Sequence, residues 1–480
     1  MPSLKKNVLY SSILTSANYI FPLITYPYVS RVLGVDNIGL CNFIDGVINY
    51  FLLFSTMGIG IIGIREIAAS KNDKEKLSKT FSSLFVLNTI STSIVLVLLV
   101  GSIFIVPQLN EHKDLMYIGV LKLVFNYLLI EWFYKGLEDF KYITVRTIVV
   151  KCLYVIAVFL FIRDKNDYVI YYFILTMMIV VNAILNICHS RKLVKVDICS
   201  VSVGPYIKSF LILGVYGLLS SMYTSFNVAY LGFTAGETEV GYYTTATKLY
   251  SVLLSLFTAF TSVMMPRMSS LLSENKVEEF KYLFNSSVQI LAGMLVPLIL
   301  FSEIFASEII NLISGKGYEG ALVPMRIVLP LMLIIGYEQI LIIQTLMPMK
   351  KDKAVFINSI VGAVVGVLAN IILVSQYKAV GSSIVWLLAE VSVLISAQYF
   401  VSKYIEIPFP VMTLIKNIIF NIPFLIIIVF LHKLNYISEV CKLILAFVLM
   451  IGNIVIVQKY LIKNTIFISL IDKIVNKSRM

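Results

Sequence analysis

The sequence predicts an all-α integral membrane protein with about fourteen transmembrane helices. Hydrophobic residues make up 59% of the 480 residues and charged residues only 14%, whereas a soluble domain carries about 25% charged residues. A helix needs about 20 residues to cross a hydrocarbon core. Several uncharged stretches reach that length, namely 7–30, 80–110, 168–188, 209–236, 282–302 and 354–377. We expect helices because a spanning segment must satisfy its own backbone hydrogen bonds.

The remaining spans are shorter or contain single charges. Together the fourteen helices are expected near 8–30, 38–63, 81–106, 115–134, 143–162, 168–188, 208–232, 241–266, 282–302, 321–347, 355–375, 380–401, 411–431 and 437–459. The first span follows Lys5 and Lys6. It is too long for the apolar core of a signal peptide and no cleavage pattern follows, so we expect it to be retained.

The 39 Lys and Arg residues predict the orientation. Most of them fall at the N-terminus and in 65–79, 135–151, 191–208, 267–281, 350–353, 403–416 and 459–479. The positive-inside rule places these segments, and with them both termini, in the cytoplasm. The net charge of +12 therefore reflects topology and contact with anionic lipid, and it needs no nucleic-acid partner.

The short predicted loops exclude several classes of protein. No GxxxxGK[ST] motif is present, so ATP hydrolysis is not expected. The five cysteines are scattered without a disulfide pattern or CxxC motif, and His112, His189 and His432 are too far apart to form a metal site. We therefore predict no metal, no cofactor and no catalytic residue. A transporter is favoured over a polysaccharide polymerase or ligase, which usually carries acidic residues on a large outer loop.

A short internal repeat predicts two lobes, as in many transporters. The segments 70–81 and 273–284 share Ser, Asn, Glu and Phe in register, and each follows an arginine. The alternative is chance similarity between two basic loops. If the repeat is genuine, the chain comprises a six-helix lobe at 1–195, a second at 200–405, helices thirteen and fourteen at 409–462, and a cytoplasmic tail at 463–480.

Three basic residues fall within predicted helices, namely Lys122, Lys248 and Arg326. Intramembrane charges are costly and usually face an interior cavity, and cations suit an anionic headgroup such as a pyrophosphate. The repeat aligns Lys122 with Arg326 and Asp45 with Lys248. The alternative readings are a structural ion pair, for example between Asp45 and Lys248, or snorkelling to the membrane surface.

Three acidic residues within helices are candidates for binding a coupling proton or cation: Asp45, Glu338 and Glu390. They could equally neutralise Arg326 or another intramembrane cation. Glu131 is a weaker candidate, because Lys135 lies four residues further on and an ordinary helical ion pair accounts for it.

Several motifs resemble those of bacterial oligosaccharide repeat-unit flippases. They are NYIFPLITYPYVSRVLGVDNIG at 18–39, GIGIIGIREIA at 58–68, EWFYKGLEDF at 131–140, FNVAYLG at 226–232, EVGYYTTATK at 239–248, PRMS at 266–269 and GKGY at 315–318. Arg31 lies in the first motif but at a helix end, where a role in headgroup binding and a structural role both remain open.

The resemblance implies the polysaccharide-transport branch of the multidrug/oligosaccharidyl-lipid/polysaccharide (MOP) exporter superfamily, with a MATE-like fold. Such proteins flip undecaprenyl-pyrophosphate-linked sugar repeats across the bacterial inner membrane for O-antigen, lipopolysaccharide or capsule. The implied partners are the lipid-linked oligosaccharide, membrane lipid, H⁺ or Na⁺ as a coupling ion, and polymerase and chain-length proteins. A cation-coupled multidrug exporter and a lipid II flippase are the alternatives within the superfamily.

Overall fold

The computed structural model describes residues 4–197, 201–222, 225–434, 436–463 and 468. Within them all regular structure is helical, which confirms the predicted all-α class. Residues 464–467 and 469–480, most of the predicted cytoplasmic tail, lie outside the described residues. By internal contacts the chain forms two compact units, Met1–Thr244 and Thr245–Met480. The lobes at 1–195 and 200–405 are predicted from the repeat along the chain and not from contacts. This division stays a prediction.

In its described residues the first unit contains ten α-helices and the start of an eleventh. They are α1 Leu4–Thr56, α2 Ile59–Ser70, α3 Lys74–Ile105, α4 Pro107–Glu111, α5 Lys113–Asn126, α6 Glu131–Gly136, α7 Phe140–Phe161, α8 Tyr168–Ser190, α9 Gly204–Ser221, α10 Ser225–Ala235 and α11 Glu237–Ser273. Helix α1 packs against α3, α5, α7 and α10, and α5 packs against α8.

The second unit begins within α11. Its other helices are α12 Val277–Ile304, α13 Ala306–Ile313, α14 Leu322–Val328, α15 Leu331–Leu341, α16 Asp352–Ile405, α17 Val411–Phe420, α18 Ile422–His432 and α19 Glu439–Ile456, with π-helical turns at Ile342–Leu346 and Val457–Leu461. Helix α16 packs against α14 and α15, while α12 contacts α15, α17, α18 and α19.

Nine helices in the described part of the chain are long and apolar enough to cross a membrane, or ten if the bent pair α17 and α18 counts as one span. Two of the nine, Tyr10–Ser70 and Asp352–Ile405, each cover two predicted spans. Non-helical backbone interrupts them at Gly34 and Lys378. A 54-residue helix would be about 80 Å long at 1.5 Å per residue, far more than one crossing needs. The total of fourteen stays a prediction.

Gly34 marks the boundary between the first two predicted spans. Its φ of 76° lies in a region that glycine enters without a steric penalty. The chain therefore changes direction within a single residue, and no loop separates the two helices.

Three predicted spans are each covered by two helices in the structure. The seventh, 208–232, is divided between α9 and α10, and the tenth, 321–347, between α14 and α15 next to Pro330. The thirteenth, 411–431, bends by 43° between α17 and α18, next to Pro423. Proline lacks the N–H that the helix ladder needs, which accounts for the last two breaks.

The repeated segments have the same local structure. Helix α2 ends at Ser70 and α3 begins at Lys74, while α11 ends at Ser273 and α12 begins at Val277. Both the helix end and the following helix start therefore recur 203 residues later in the sequence.

Candidate functional site

An ion pair inside the first unit joins two of the residues singled out from the sequence. Lys122 on α5 donates from Nζ to Oδ1 of Asp45 on α1 over 2.5 Å. The same ammonium group donates to Oδ1 of Asn49 at 3.3 Å. The predicted headgroup cation is thus already bound by a predicted coupling carboxylate.

Two further side chains hold the Asp45 carboxylate. Asn49, one turn along α1, donates from Nδ2 to Oδ2 over 3.2 Å, and the hydroxyl of Tyr172 on α8 donates to Oδ1 over 3.3 Å. Tyr172 is fully buried. Sequence reasoning missed Asn49 and Tyr172, although Asn49 lies four residues after Asp45 and so on the same helix face.

The other predicted cations lie elsewhere. Arg326 on α14 contacts Glu303 in the second unit, with 3.9 Å between Nε and Oε2, and is half exposed. Lys248 is partly buried on α11, in the second unit, and Arg31 is exposed on α1 just before the break at Gly34. Asp45, which one reading paired with Lys248, binds Lys122 instead. Convergence of the three cations on one cavity stays a prediction.

Glu338 and Glu390 form a buried acidic site in the second unit. Each is 5% exposed, and their carboxyl groups, on α15 and α16, lie close enough to interact electrostatically. Trp386 donates from Nε1 to Oε1 of Glu390 at 2.8 Å, and its ring packs edge-on against Tyr250 at 5.0 Å. Neither acid is paired with Arg326 in the ion pairs of the described residues.

Oε1 of Glu338 and the hydroxyl of Tyr250 are buried without a hydrogen-bond partner in the described part of the chain. Two neighbouring buried carboxylates repel each other, so a shared proton or a bound cation would stabilise them. The sequence identified both acids but not the two aromatic residues that enclose them.

Two buried basic residues of α7 escaped the sequence analysis, which counted 135–151 among the cytoplasmic basic segments although its predicted helix 143–162 already contains them. The structure starts α7 at Phe140, so Arg146 and Lys151 are helical, and both are buried. Arg146 binds Glu131 at 3.2 Å, and Glu131 also binds Lys135 at 3.1 Å, as the helical spacing predicted. Lys151 donates to Oδ1 of Asn18 at 2.6 Å.

The glycine-rich motifs are sites of close packing. A Cβ at Gly39 would lie 1.8 Å from the backbone oxygen of Glu237, so α1 and the start of α11 touch through their backbones. A Cβ at Gly63 would lie 2.5 Å from the Trp132 ring, which packs α2 against α6. The motifs at 18–39, 58–68, 131–140 and 239–248 therefore specify helix contacts.

Comparison with known proteins agrees with the fold. The profile of a family described as polysaccharide biosynthesis protein matches residues 4–272. A candidate O-antigen transporter of Escherichia coli (strain K12) is 27% identical over 393 residues, covering 81% of this chain and 94% of that protein.

Two solved structures show the same fold. The lipid II flippase MurJ in an inward closed conformation superposes with a TM-score of 0.77 at 16% identity, covering 95% of this chain and all of that one. An inward-facing MATE-family multidrug resistance transporter of the MOP superfamily gives 0.66 at 16% identity, covering 80% and 94%. The expected MATE-like fold and the resemblance to polysaccharide transporters are confirmed, and the chain belongs to the polysaccharide biosynthesis protein family.

Proposed function

We propose that this protein is a flippase that moves undecaprenyl-pyrophosphate-linked oligosaccharide repeat units from the cytoplasmic to the outer leaflet of a bacterial inner membrane. The product would supply O-antigen, capsule or a related surface polymer. The family, the O-antigen transporter relative and the MOP fold support a glycan flippase. The observation that carries the mechanism is the Lys122–Asp45 ion pair within a membrane-spanning unit.

In this mechanism the substrate pyrophosphate competes with Asp45 for Lys122. The ammonium group can donate three hydrogen bonds, of which Asp45 and Asn49 accept two. A phosphate oxygen would take the third and then displace the Asp45 carboxylate. Lys248, Arg326 and Arg31 are the further cations proposed to neutralise the headgroup during transfer.

Protonation of Asp45 would couple a proton to this exchange. A neutral carboxyl group attracts the Lys122 ammonium far less than a carboxylate does, so a proton on Asp45 would release Lys122 to the substrate. Glu338 and Glu390 would form a second coupling site for H⁺ or Na⁺ in the other unit. Alternating access of two lobes would then carry the headgroup from the cytoplasmic to the outer leaflet, while the polyprenyl chain remains in lipid. Both termini would face the cytoplasm.

Lipid II flipping is the second candidate, favoured by the fold shared with MurJ over the full length of that protein. Lipid II also carries a pyrophosphate, so the same cations would serve it. Rescue of peptidoglycan synthesis in a strain that lacks its own lipid II flippase would establish this candidate, and conferred drug resistance would instead identify a multidrug exporter.

The deciding experiment locates lipid-linked oligosaccharide in a deletion strain that is complemented with variants. We expect complete repeat units to accumulate facing the cytoplasm and surface polysaccharide to disappear. Wild-type protein and Lys113→Gln, an exposed change at the start of the same helix α5, should restore export, whereas Lys122→Gln should not. Unpolymerised repeats facing outward would point to a polymerase, and an unchanged distribution would contradict the proposal.

A further inference from the structure

An open cavity of about 490 Å³ lies along α7 and α8 in the first unit. Its lining residues are Asp139, Lys141, Tyr142, Val145, Arg146, Val149, Leu185 and His189. The cavity is near the end of α7 that carries the basic residues, which is the cytoplasmic end in the predicted orientation. It contains none of the residues proposed to bind substrate or coupling ions.

Arg146 gives this cavity unused hydrogen-bonding capacity. Its side chain is only 4% exposed, and Nη2 donates to Glu131 at 3.2 Å and to Thr147 at 2.9 Å. Nε and Nη1 are buried and have no hydrogen-bond partner in the described residues. Buried donors are rarely left unpaired, so a guanidinium group with unpaired N–H donors in a cavity wall indicates an acceptor that binds there.

The charge around the cavity favours an anion. Glu131 is the carboxylate nearest Arg146, and it is shared with Lys135, so two cations have one counter-ion. Lys141 adds another positive charge to the lining. Asp139 is the acidic residue of the lining, and it faces His189 at 4.0 Å. An anionic group bound in the cavity would neutralise the positive charge that the shared carboxylate of Glu131 leaves on this pair of cations.

The remaining walls are apolar and continue along α7. Val145, Val149, Leu153, Ile156 and Leu160 are each at least half exposed and follow one another at three- and four-residue spacing, which places them on one face of the helix. The stripe extends about 22 Å at 1.5 Å per residue. The stripe has the length and the apolar character that suit a hydrocarbon chain lying along the helix. A site for a soluble anion would not need such a stripe.

We propose that this cavity binds an anionic glycerophospholipid of the cytoplasmic leaflet. The phosphate group would accept from Nη1 of Arg146 after a small rotation of the guanidinium group, in a charge-assisted hydrogen bond. One acyl chain would lie against Val145 and Val149. The site would be distinct from the Lys122–Asp45 pair, so lipid binding and substrate transfer could be changed separately.

Lipid binding to the full-length protein tests this proposal. The purified protein in neutral detergent is titrated with phosphatidylglycerol or phosphatidylcholine of the same acyl chains, and bound lipid is counted by native mass spectrometry. Wild-type protein should retain one phosphatidylglycerol in preference to phosphatidylcholine. Arg146→Gln should weaken phosphatidylglycerol binding about tenfold or more, as expected for a lost charged hydrogen-bond partner, whereas Arg163→Gln, at the other end of α7, should not.

A second variant keeps the test decisive if Arg146→Gln fails to fold. Val149→Trp fills the cavity from its exposed side without touching the Arg146–Glu131 pair, and it should weaken the binding of phosphatidylglycerol. Equal retention of the two lipids by wild-type protein, or unchanged binding by Val149→Trp, would overturn the proposal. Displacement of phosphatidylglycerol by millimolar inorganic phosphate would identify a free-anion site and also overturn it.

Discussion

Lys122 and Asp45 form an ion pair in which the cation is the more deeply buried partner. The Lys122 side chain is 11% exposed and that of Asp45 is 35% exposed. An incoming solute would therefore reach the pair from the carboxylate side. This geometry favours a mechanism in which the substrate competes with Asp45 for Lys122 over one in which the substrate binds an unpaired cation.

The unequal burial predicts unequal costs of breaking the pair. Asp45→Asn leaves a buried ammonium group with only neutral acceptors, and we expect a loss of about 2–3 kcal/mol of stability, below the usual cost of breaking a fully buried pair because Asp45 is one-third exposed. Lys122→Gln leaves Asp45 with Asn49 and Tyr172 and should cost about 1 kcal/mol. Thermal unfolding in detergent measures both variants. Equal losses, or a larger loss for Lys122→Gln, would contradict this account.

The double variant Asp45→Asn/Lys122→Gln separates stability from transport. Removal of both charges leaves no unpaired ion at this pair, so much of the stability lost in Asp45→Asn should return. Export should remain absent, because the headgroup cation is gone. A double variant that exports repeat units at the wild-type rate would exclude Lys122 as a substrate contact.

The Glu338–Glu390 site predicts a stabilising ligand. A proton or Na⁺ between the two carboxyl groups should increase the free energy of unfolding of wild-type protein by about 2–3 kcal/mol near 100 times the dissociation constant, and so raise its unfolding temperature. The measurement compares NaCl with choline chloride, and pH 8 with pH 6. Glu390→Gln should lose the response, because one of the two repelling charges is removed.

The control for this response is Glu279→Gln on the exposed start of α12, which should behave like the wild type. If Glu390→Gln retains the full stabilisation by Na⁺ and by acid, neither ion acts at this site.

Close packing at the glycine motifs predicts a large difference between two neighbouring substitutions. Gly63→Ala would place a methyl group 2.5 Å from the Trp132 ring, while Gly60→Ala, one turn earlier on α2, meets nothing within 4 Å. Overpacking costs about 1–3 kcal/mol. Thermal unfolding should show that loss for Gly63→Ala and none for Gly60→Ala. Similar unfolding temperatures would mean that α2 and α6 can separate freely.

Hydropathy and charge were sufficient to predict the class of the fold. Burial of the backbone in lipid requires helix, so composition and uncharged stretches identify a membrane protein directly. The separation of the spans around Gly34 and Lys378 was predicted, whereas hydropathy did not predict that a single residue would interrupt the helix at each place. Proline kinks helices, and Pro330 lies within the tenth predicted span. Whether it would break the span depended on packing that a sequence does not display.

The sequence identified the charged residues of the site better than it identified their partners. Asp45, Lys122, Glu338 and Glu390 were recognisable because charge is rare within apolar stretches. Asp45 was aligned with Lys248 by the repeat, yet it binds Lys122 from a helix 77 residues away in sequence. Such contacts between distant segments depend on which helix faces meet, and no local pattern encodes that.

Helices α17, α18 and α19 are held together by buried amide groups. Asn453 on α19 donates from Nδ2 to Oδ1 of Asn421 at 2.5 Å, and Gln458 donates to Oδ1 of Asn417 at 3.2 Å. Asn421 lies at the bend between α17 and α18 and is fully buried. In a membrane, where apolar contact does not distinguish a neighbouring helix from lipid, hydrogen bonds of this kind help to select the partner.

Asn453→Ala should therefore loosen the last helices by a small and measurable amount. Hydrogen bonds between membrane helices contribute about 0.6 kcal/mol on average and about 1.7 kcal/mol at most, and the upper value is expected because Oδ1 of Asn421 would be left buried without its donor. Gly452→Ala, where an added methyl group meets nothing within 4 Å, is the matched control. Thermal unfolding compares the two, and a protease site placed between α18 and α19 should be cut faster only in Asn453→Ala. An unchanged unfolding temperature together with unchanged cleavage would mean that apolar packing alone positions α19.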